Sequence, residues 1–216
     1  APPWCQACGL PFTFEDETSP LCAACAAPDR YEENLTGKGR LDMVRAAIAY
    51  DETIAGAILR LKYADRLDGV QALSRLMVTA GADLFDGDAV LVPVPLHKGR
   101  LMERRYNQAG VLAQAIGQQT GLPVYHQALV RRRATAPQKG GSRTARARNV
   151  NGAFEAVGAG SLADRHVVLV DDVLTTGATL IACAKALRNA GITSVSALCL
   201  SRVVKTQDPI LYGLEG

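Results

Sequence analysis

No apolar run in this sequence approaches the roughly 18 residues that a membrane-spanning helix needs. The first residues, APPWCQACG, lack the basic and apolar regions of a secretory signal. Together these two absences predict a cytoplasmic protein with no membrane insertion. No internal repeat is present, which sets solenoids and propellers aside. Neither sign of charge is in large excess: 24 Lys and Arg against 21 Asp and Glu leave a net +3, too little to imply nucleic acid by itself. What is present is an ordinary globular composition, 48% hydrophobic and 21% charged, over 216 residues. That length suffices for one full domain with a real core and a small appendage.

The six cysteines fall into two sets. Cys183, in LIACAKAL, and Cys199, in VSALCLS, stand alone among apolar residues and read as buried, inert thiols. Cys5-x2-Cys8 and Cys22-x2-Cys25 are two knuckles, the pattern that brings four thiolates to one tetrahedral site. Zinc is the expected ion. Residues 1–28 are too few to bury a sufficient core alone, so metal would supply the folding energy. Two disulfides are the alternative, which a cytoplasmic setting disfavours. With four sulfur ligands the ion would have no open position and would be structural. Trp4, beside the first knuckle, is placed to pack on the main domain or on a partner.

Residues 29–43 are polar and glycine-containing and read as a linker, leaving 44–216 as the main domain. There strands alternate with helices. VRAAIAY, AVLVPVPL, HVVLV and ITSVSALCLSRV read as strands, and PVYHQALVRR as extended. TIAGAILRLKYAD, GVQALSRLMVTAGADL, NQAGVLAQAIGQQTGLP and GATLIACAKALRNAG read as helical, with Asn107 and Gly121 as caps and Gly191 as a stop. The alternation predicts an α/β fold, a mainly parallel sheet with helices on both faces.

The most informative stretch is HVVLVDDVLTTGATL, residues 166–180. In an open parallel sheet, ligands bind outside the carboxyl ends of the strands, and VVLV delivers Asp171 and Asp172 there. The next residues turn into a helix, whose first N–H groups and dipole favour an anion. A phosphate fits, with Gly177 letting the backbone come close and Thr175, Thr176 and Thr179 adding hydroxyls. The carboxylates would repel that phosphate, so they should accept hydrogen bonds from neutral hydroxyls beside it. A phosphorylated pentose meets both demands. A plain helix start with solvated aspartates is the alternative, but tandem acids after a buried strand, then TTGAT, are unusual for a cap.

The tract resembles the signature of type I phosphoribosyltransferases that binds phosphoribosyl pyrophosphate (PRPP). Together with VPVPLHKGRLMERRYNQA, ATAPQKGGSRTARARNVNGAF and the cysteine pairs, it resembles the ComF-type competence family across nearly the whole chain. The resemblance implies a phosphoribosyltransferase-like fold behind a zinc ribbon. It implies that Asp171 and Asp172 hold the ribose hydroxyls, and that Thr175, Thr176, Gly177, Ala178 and Thr179 hold the 5-phosphate. It makes Leu96, His97, Lys98, Gly99 and Arg100 the pyrophosphate loop, with Arg104 and Arg105 nearby. The pyrophosphate of PRPP needs cations, so Mg²⁺ is expected with it. His97 is a candidate general acid, with a surface or capping role as the alternative. One departure is Gly140-Gly141 before Ser142, where the pattern expects an apolar residue.

The basic segment 131–149 has three competing roles: a lid over the substrate, a nucleic-acid contact, or a solvated loop. Gln138, Arg143, Arg146 and Asn149 match the family's lid pattern. No aromatic residue lies between the arginines, which argues against base stacking there. Two functions stay open. One is a phosphoribosyltransferase that expels pyrophosphate from Mg–PRPP and joins an unspecified acceptor to the anomeric carbon. It needs no Ser-His-Asp or Cys-His constellation. The other is a non-catalytic PRPP or nucleotide sensor, or an adaptor contacting single-stranded DNA or a competence protein. The resemblance links both to DNA uptake in natural transformation.

Overall fold

The computed structural model describes residues 4–12, 20–26, 35–51, 54–56, 58, 69–97, 99, 101–102, 106–133 and 148–203. Lys98, Arg100, Arg104, Arg105, Gln138, Arg143 and Arg146 lie outside them. The elements run α1 (Ala23–Ala26), β1 (Val44–Ala49), α2 (Val70–Ala80), β2 (Val90–Pro93), α3 (Gln108–Thr120), β3 (Leu129–Arg131), β4 (Phe154–Ala156), β5 (His166–Leu174), α4 (Ala178–Asn189) and β6 (Ser194–Arg202). Four strands form a parallel sheet in the order β1-β6-β5-β2, and β3 and β4 make a separate antiparallel pair. The parallel α/β architecture expected from the alternation is the one observed. No helix among the described residues is long and apolar enough to cross a membrane.

The central strands are apolar without interruption because both faces are covered. Val167, Val168, Leu169 and Val170 are all fully buried, and they alternate between two cores. Val167 and Leu169 pack with α4 residues Leu180, Cys183, Ala184 and Leu187. Val168 and Val170 pack on the other face with Met77 of α2 and Leu112 and Ile116 of α3. Cys183 and Cys199 are fully buried, and burial pushes both thiols well up. That is the inert state expected of them.

Two segments cover the sheet edges, where unpaired backbone would otherwise invite other chains. At β2, the Leu91 N–H donates to Pro123 O (2.9 Å) and the Tyr125 N–H to Leu91 O (2.8 Å). At β1, the Ala46 N–H donates to Gly9 O (3.0 Å). Trp4 completes that second cover. Its Nε1 donates to Ala46 O (3.3 Å), and Arg45, ion-paired with Asp83 at 2.6 Å, stacks its guanidinium over the indole. The first knuckle therefore docks on the main sheet through Trp4. Cys5, Ala7, Cys8 and Phe12 share a continuous core with β1 and β6. Leu35 and Leu41, within the stretch read as a linker, are also buried there.

Two local expectations need correction. Asn107 occupies the residue before α3, but its side chain does not cap the helix. Its Nδ2 donates instead to Val94 O (3.0 Å), tying the helix start to the chain after β2. The HVVLV strand does not stop at the acids: β5 continues through Asp171 and Asp172 to Leu174, paired with β6 as far as Arg202. Gly121 does end α3 in the left-handed region (φ +78°), whereas Ala190 follows α4 and Gly191 is the next residue (φ +94°).

Candidate active site at the carboxyl edge of the sheet

A cleft opens where β5 outruns β2. The pairing of β2 ends at Pro93 opposite Val170, and the Val94 N–H makes a last bond to Val170 O (2.9 Å). Beyond that point β5 keeps β6 on one side and has the cleft on the other. The winding explains the opening. From β2 the chain leaves through α3, on one face, to residues 123–125 at the sheet edge; from β5 it leaves through α4, on the opposite face, to β6. This divergence is the switch point at which open α/β sheets bind ligands.

The cleft holds about 440 Å³. Its lining includes Leu96 after β2, Asn107 and Gln108 at the start of α3, Arg131 from β3, Asp171 and Asp172 from β5, and Thr175 and Thr179 from the turn into α4. Asp171 Oδ1 accepts the Asp172 N–H (2.9 Å), and Asp172 Oδ1 accepts the Val173 N–H (2.8 Å). Each acid is thus oriented by the next amide and retains further lone pairs. Burial, then the neighbouring Asp172 carboxylate, push the Asp171 carboxyl well above the usual range, while the Asp172 N–H and the Arg131 charge act in the opposite direction. Arg131 itself stacks over Phe154, 5.3 Å from the ring centroid.

The turn after β5 starts α4. Gly177 sits at the N-cap with φ +75°, a region that favours glycine. The first ladder bond runs from the Ile181 N–H to Gly177 O (2.9 Å), so the N–H groups of 178–180 precede the ladder. A second requirement for glycine is steric: a Cβ at Gly177 would overlap the Leu35 side chain. The Arg202 Nη1 donates to Thr175 O (2.7 Å) and holds the other end of the turn.

The remaining candidate residues are distributed differently. Thr176 and Ala178 line a separate outer cleft of about 350 Å³, with Arg148, Val150, Asn151, Ile181, Ala182 and Lys185. His97 is not among the residues lining the main cleft, and its Nδ1 accepts the Gly99 N–H (3.2 Å) within its own loop. Asn149 lies in a helical turn at 148–150, and its carbonyl accepts Arg133 Nη2 (3.1 Å). Sequence reasoning did not single out Tyr50, Gln108 or Arg131 as cleft residues. Arg131 was visible only as the first charge of a basic run. Its distinguishing signal was its place at the end of a short apolar strand, LVR.

The four knuckle cysteines converge as their spacing requires. All four Sγ atoms lie within 4.8 Å of one another, and Cys8 and Cys22 are 3.8 Å apart. None is disulfide-bonded. Zn–S bonds of about 2.3 Å give a tetrahedral edge of about 3.8 Å, so a four-thiolate zinc site fits this arrangement.

Known proteins of similar sequence identify the family. Residues 109–213 match the phosphoribosyl transferase domain. The chain is 31% identical over 209 residues to the DNA utilization protein YhgH of Escherichia coli, covering 93% of this chain and 84% of that one. It is 33% identical over 159 residues to competence protein F of Haemophilus influenzae, covering 71% and 69%. It is 26% identical over 200 residues to competence protein ComFC of Bacillus subtilis, covering 92% and 77%.

Proposed function

Because the chain belongs to the ComF-type competence and DNA utilization family and carries a phosphoribosyl transferase domain, we propose that its cleft binds Mg–PRPP or a ribose 5-phosphate group in the service of DNA uptake. The observation that carries this reading is the meeting of two tandem acids and a helix-initiating threonine turn in one cleft at the sheet's switch point. Asp171 and Asp172 would accept from the ribose hydroxyls. Thr175 and Thr179, which line this cleft, would receive the 5-phosphate through their hydroxyls, and Thr176, Gly177 and Ala178 would contribute through the backbone amides and helix dipole of the same turn. Leu96, His97, Lys98, Gly99 and Arg100 would form the pyrophosphate loop. Arg131 brings a fixed positive charge to the same cleft and would join it.

The two acids also suit a hydrated Mg²⁺, which binds through few carboxylates and keeps several waters; it would neutralise charge on the pyrophosphate. In the transferase reading, the bond from the anomeric carbon to pyrophosphate breaks with its electron pair leaving on the pyrophosphate, and the acceptor's lone pair forms the new bond. The chain's own contribution is to orient the pentose, stabilise the leaving anion through Arg131 and the 96–100 loop, and exclude water. Gln138, Arg143, Arg146 and Asn149 would belong to the covering lid. The division into a zinc ribbon at 1–28, a connector at 29–43 and a transferase domain at 44–216 goes with this reading. The ribbon and the basic segment would then be the surfaces for single-stranded DNA or a competence protein, in keeping with relatives named for DNA utilization and competence.

Calorimetry with PRPP and Mg²⁺ tests the ligand. The expectation is saturable one-to-one binding, with ribose 5-phosphate weaker because it lacks the pyrophosphate contacts. Absence of binding by both would overturn the reading. Release of pyrophosphate during incubation with candidate acceptors separates enzyme from sensor. Elemental analysis should find about one zinc per chain; two disulfides by mass spectrometry and no zinc would refute the ribbon.

A further inference from the structure

We propose that the first cysteine knuckle positions the 175–179 turn through Leu35, so that an intact four-cysteine site is required for the cleft to receive a phosphate; the second half of this statement rests on reading that turn as a phosphate site. Leu35 is almost fully buried, 1% exposed. Its N–H donates to the carbonyl of Ala7, which lies between Cys5 and Cys8 (3.2 Å). The adjacent Thr36 hydroxyl donates to Gln6 O (3.4 Å). Leu35 O in turn accepts the Leu41 N–H (3.1 Å), and the next residue, Asp42, is anchored to Arg188 (2.7 Å) and to the Val195 N–H (2.8 Å).

The side chain so placed fills the space where a Cβ of Gly177 would stand. Gly177 is the pivot of the turn: it has φ +75°, accepts the first ladder bond of α4, and as glycine has the widest backbone freedom to relax into empty space. With Leu35 packed against it and Arg202 holding Thr175 O, the turn is clamped at two points. Of these, only Leu35 is carried by the knuckle backbone. The knuckle's own bonds, Gly9 N–H to Cys5 O (2.8 Å) and Cys5 N–H to Leu10 O (2.9 Å), span few residues. A module this small depends on its metal for order. Losing that order would release Ala7, then Leu35, then the backing of Gly177. Leu35 is thus a positioning residue.

Amide hydrogen exchange on the full metal-loaded chain tests this without assuming any ligand. In Leu35→Ala, exchange at residues 175–180 should quicken about tenfold or more while α3 stays as protected as in the wild type. Leu35→Met, which keeps the volume, should restore protection. Removing metal from the wild type with a chelator should reproduce the alanine pattern. Should the alanine variant not fold, Leu35→Val supplies the same truncation in smaller measure. Unchanged protection at 175–180 in the truncated variant or after chelation, or loss spread equally over α3, would overturn the proposal. In parallel, PRPP affinity should fall about tenfold in Leu35→Ala with pyrophosphate affinity unchanged. A wild type that ignores PRPP yet shows the exchange pattern would sink the phosphate reading and leave the brace standing.

Discussion

The turn at 175–179 divides two clefts of similar size and opposite character. On one side, Thr175 and Thr179 face a cleft of about 440 Å³ that contains both aspartates and one arginine. On the other, Thr176 and Ala178 border a cleft of about 350 Å³ with Arg148 and Lys185 and no acid among its lining residues. Cations alone would favour the outer cleft for any anion. What the contrast teaches is that charge count does not choose a phosphopentose site. A phosphorylated sugar needs a donor-rich turn for its anion and strong acceptors for its hydroxyls within one molecule's length, and of the two only the inner cleft sets carboxylates beside the turn.

The largest expected effect breaks the inner cleft. Asp171→Asn together with Asp172→Asn should lower PRPP affinity by about a hundredfold or more, since two charge-assisted acceptors are lost at about 1.5–3 kcal/mol each. Circular dichroism should show the fold retained. Next, Arg131→Met keeps the packing on Phe154 while removing the charge, and should weaken PRPP about 10–100-fold and ribose 5-phosphate far less. That difference would place Arg131 at the pyrophosphate end. The smallest effect is in the outer cleft: Lys185→Ala should leave PRPP affinity within about twofold, as expected for an exposed, solvent-screened charge outside the inner cleft's lining. A loss there comparable to that of the aspartates would reverse the comparison.

A pH measurement sharpens the same contrast. Burial and the second carboxylate hold the Asp171 carboxyl above its usual range. A raised native value means the folded state keeps its proton longer than the unfolded chain does. Stability is therefore full below the ordinary carboxylate range and declines as pH rises toward the native value. Asp171→Asn removes that decline. The variant should melt higher than the wild type at neutral pH, with the gap closing in acid, and calorimetric scans at several pH values would show it. A residue that costs stability but is indispensable for binding is the pattern expected of a site.

The fold was legible because its signals are local. Four valine and leucine residues in a row mark a doubly covered strand, and Gly121 marks a helix end through its positive φ. The two knuckles were legible by spacing alone, and their four sulfurs do meet. The inner cleft was legible in part: the acids and the threonine turn were contiguous in sequence, so one strand and one helix start sufficed to bring them together. Arg131 comes from β3, Gln108 from α3 and Tyr50 from just after β1, and their convergence depends on tertiary placement that no short motif records. Leu35 was hidden for the same reason. It sits in a polar, glycine-containing stretch, and only its contact with Gly177, far along the chain, gives it meaning. Asn107 shows the converse. Its position suggested a helix cap, but the Val94 carbonyl captured its amide, because the chain after β2 needed tethering beside the cleft.

The most direct test of the central claim is diffraction from crystals soaked with PRPP and Mg²⁺. Density is expected in the inner cleft, with ribose hydroxyls within hydrogen-bonding distance of Asp171 and Asp172 and the 5-phosphate over residues 175–179. Ligand density confined to the outer cleft beside Arg148 and Lys185, with the two aspartates facing only solvent, would contradict it.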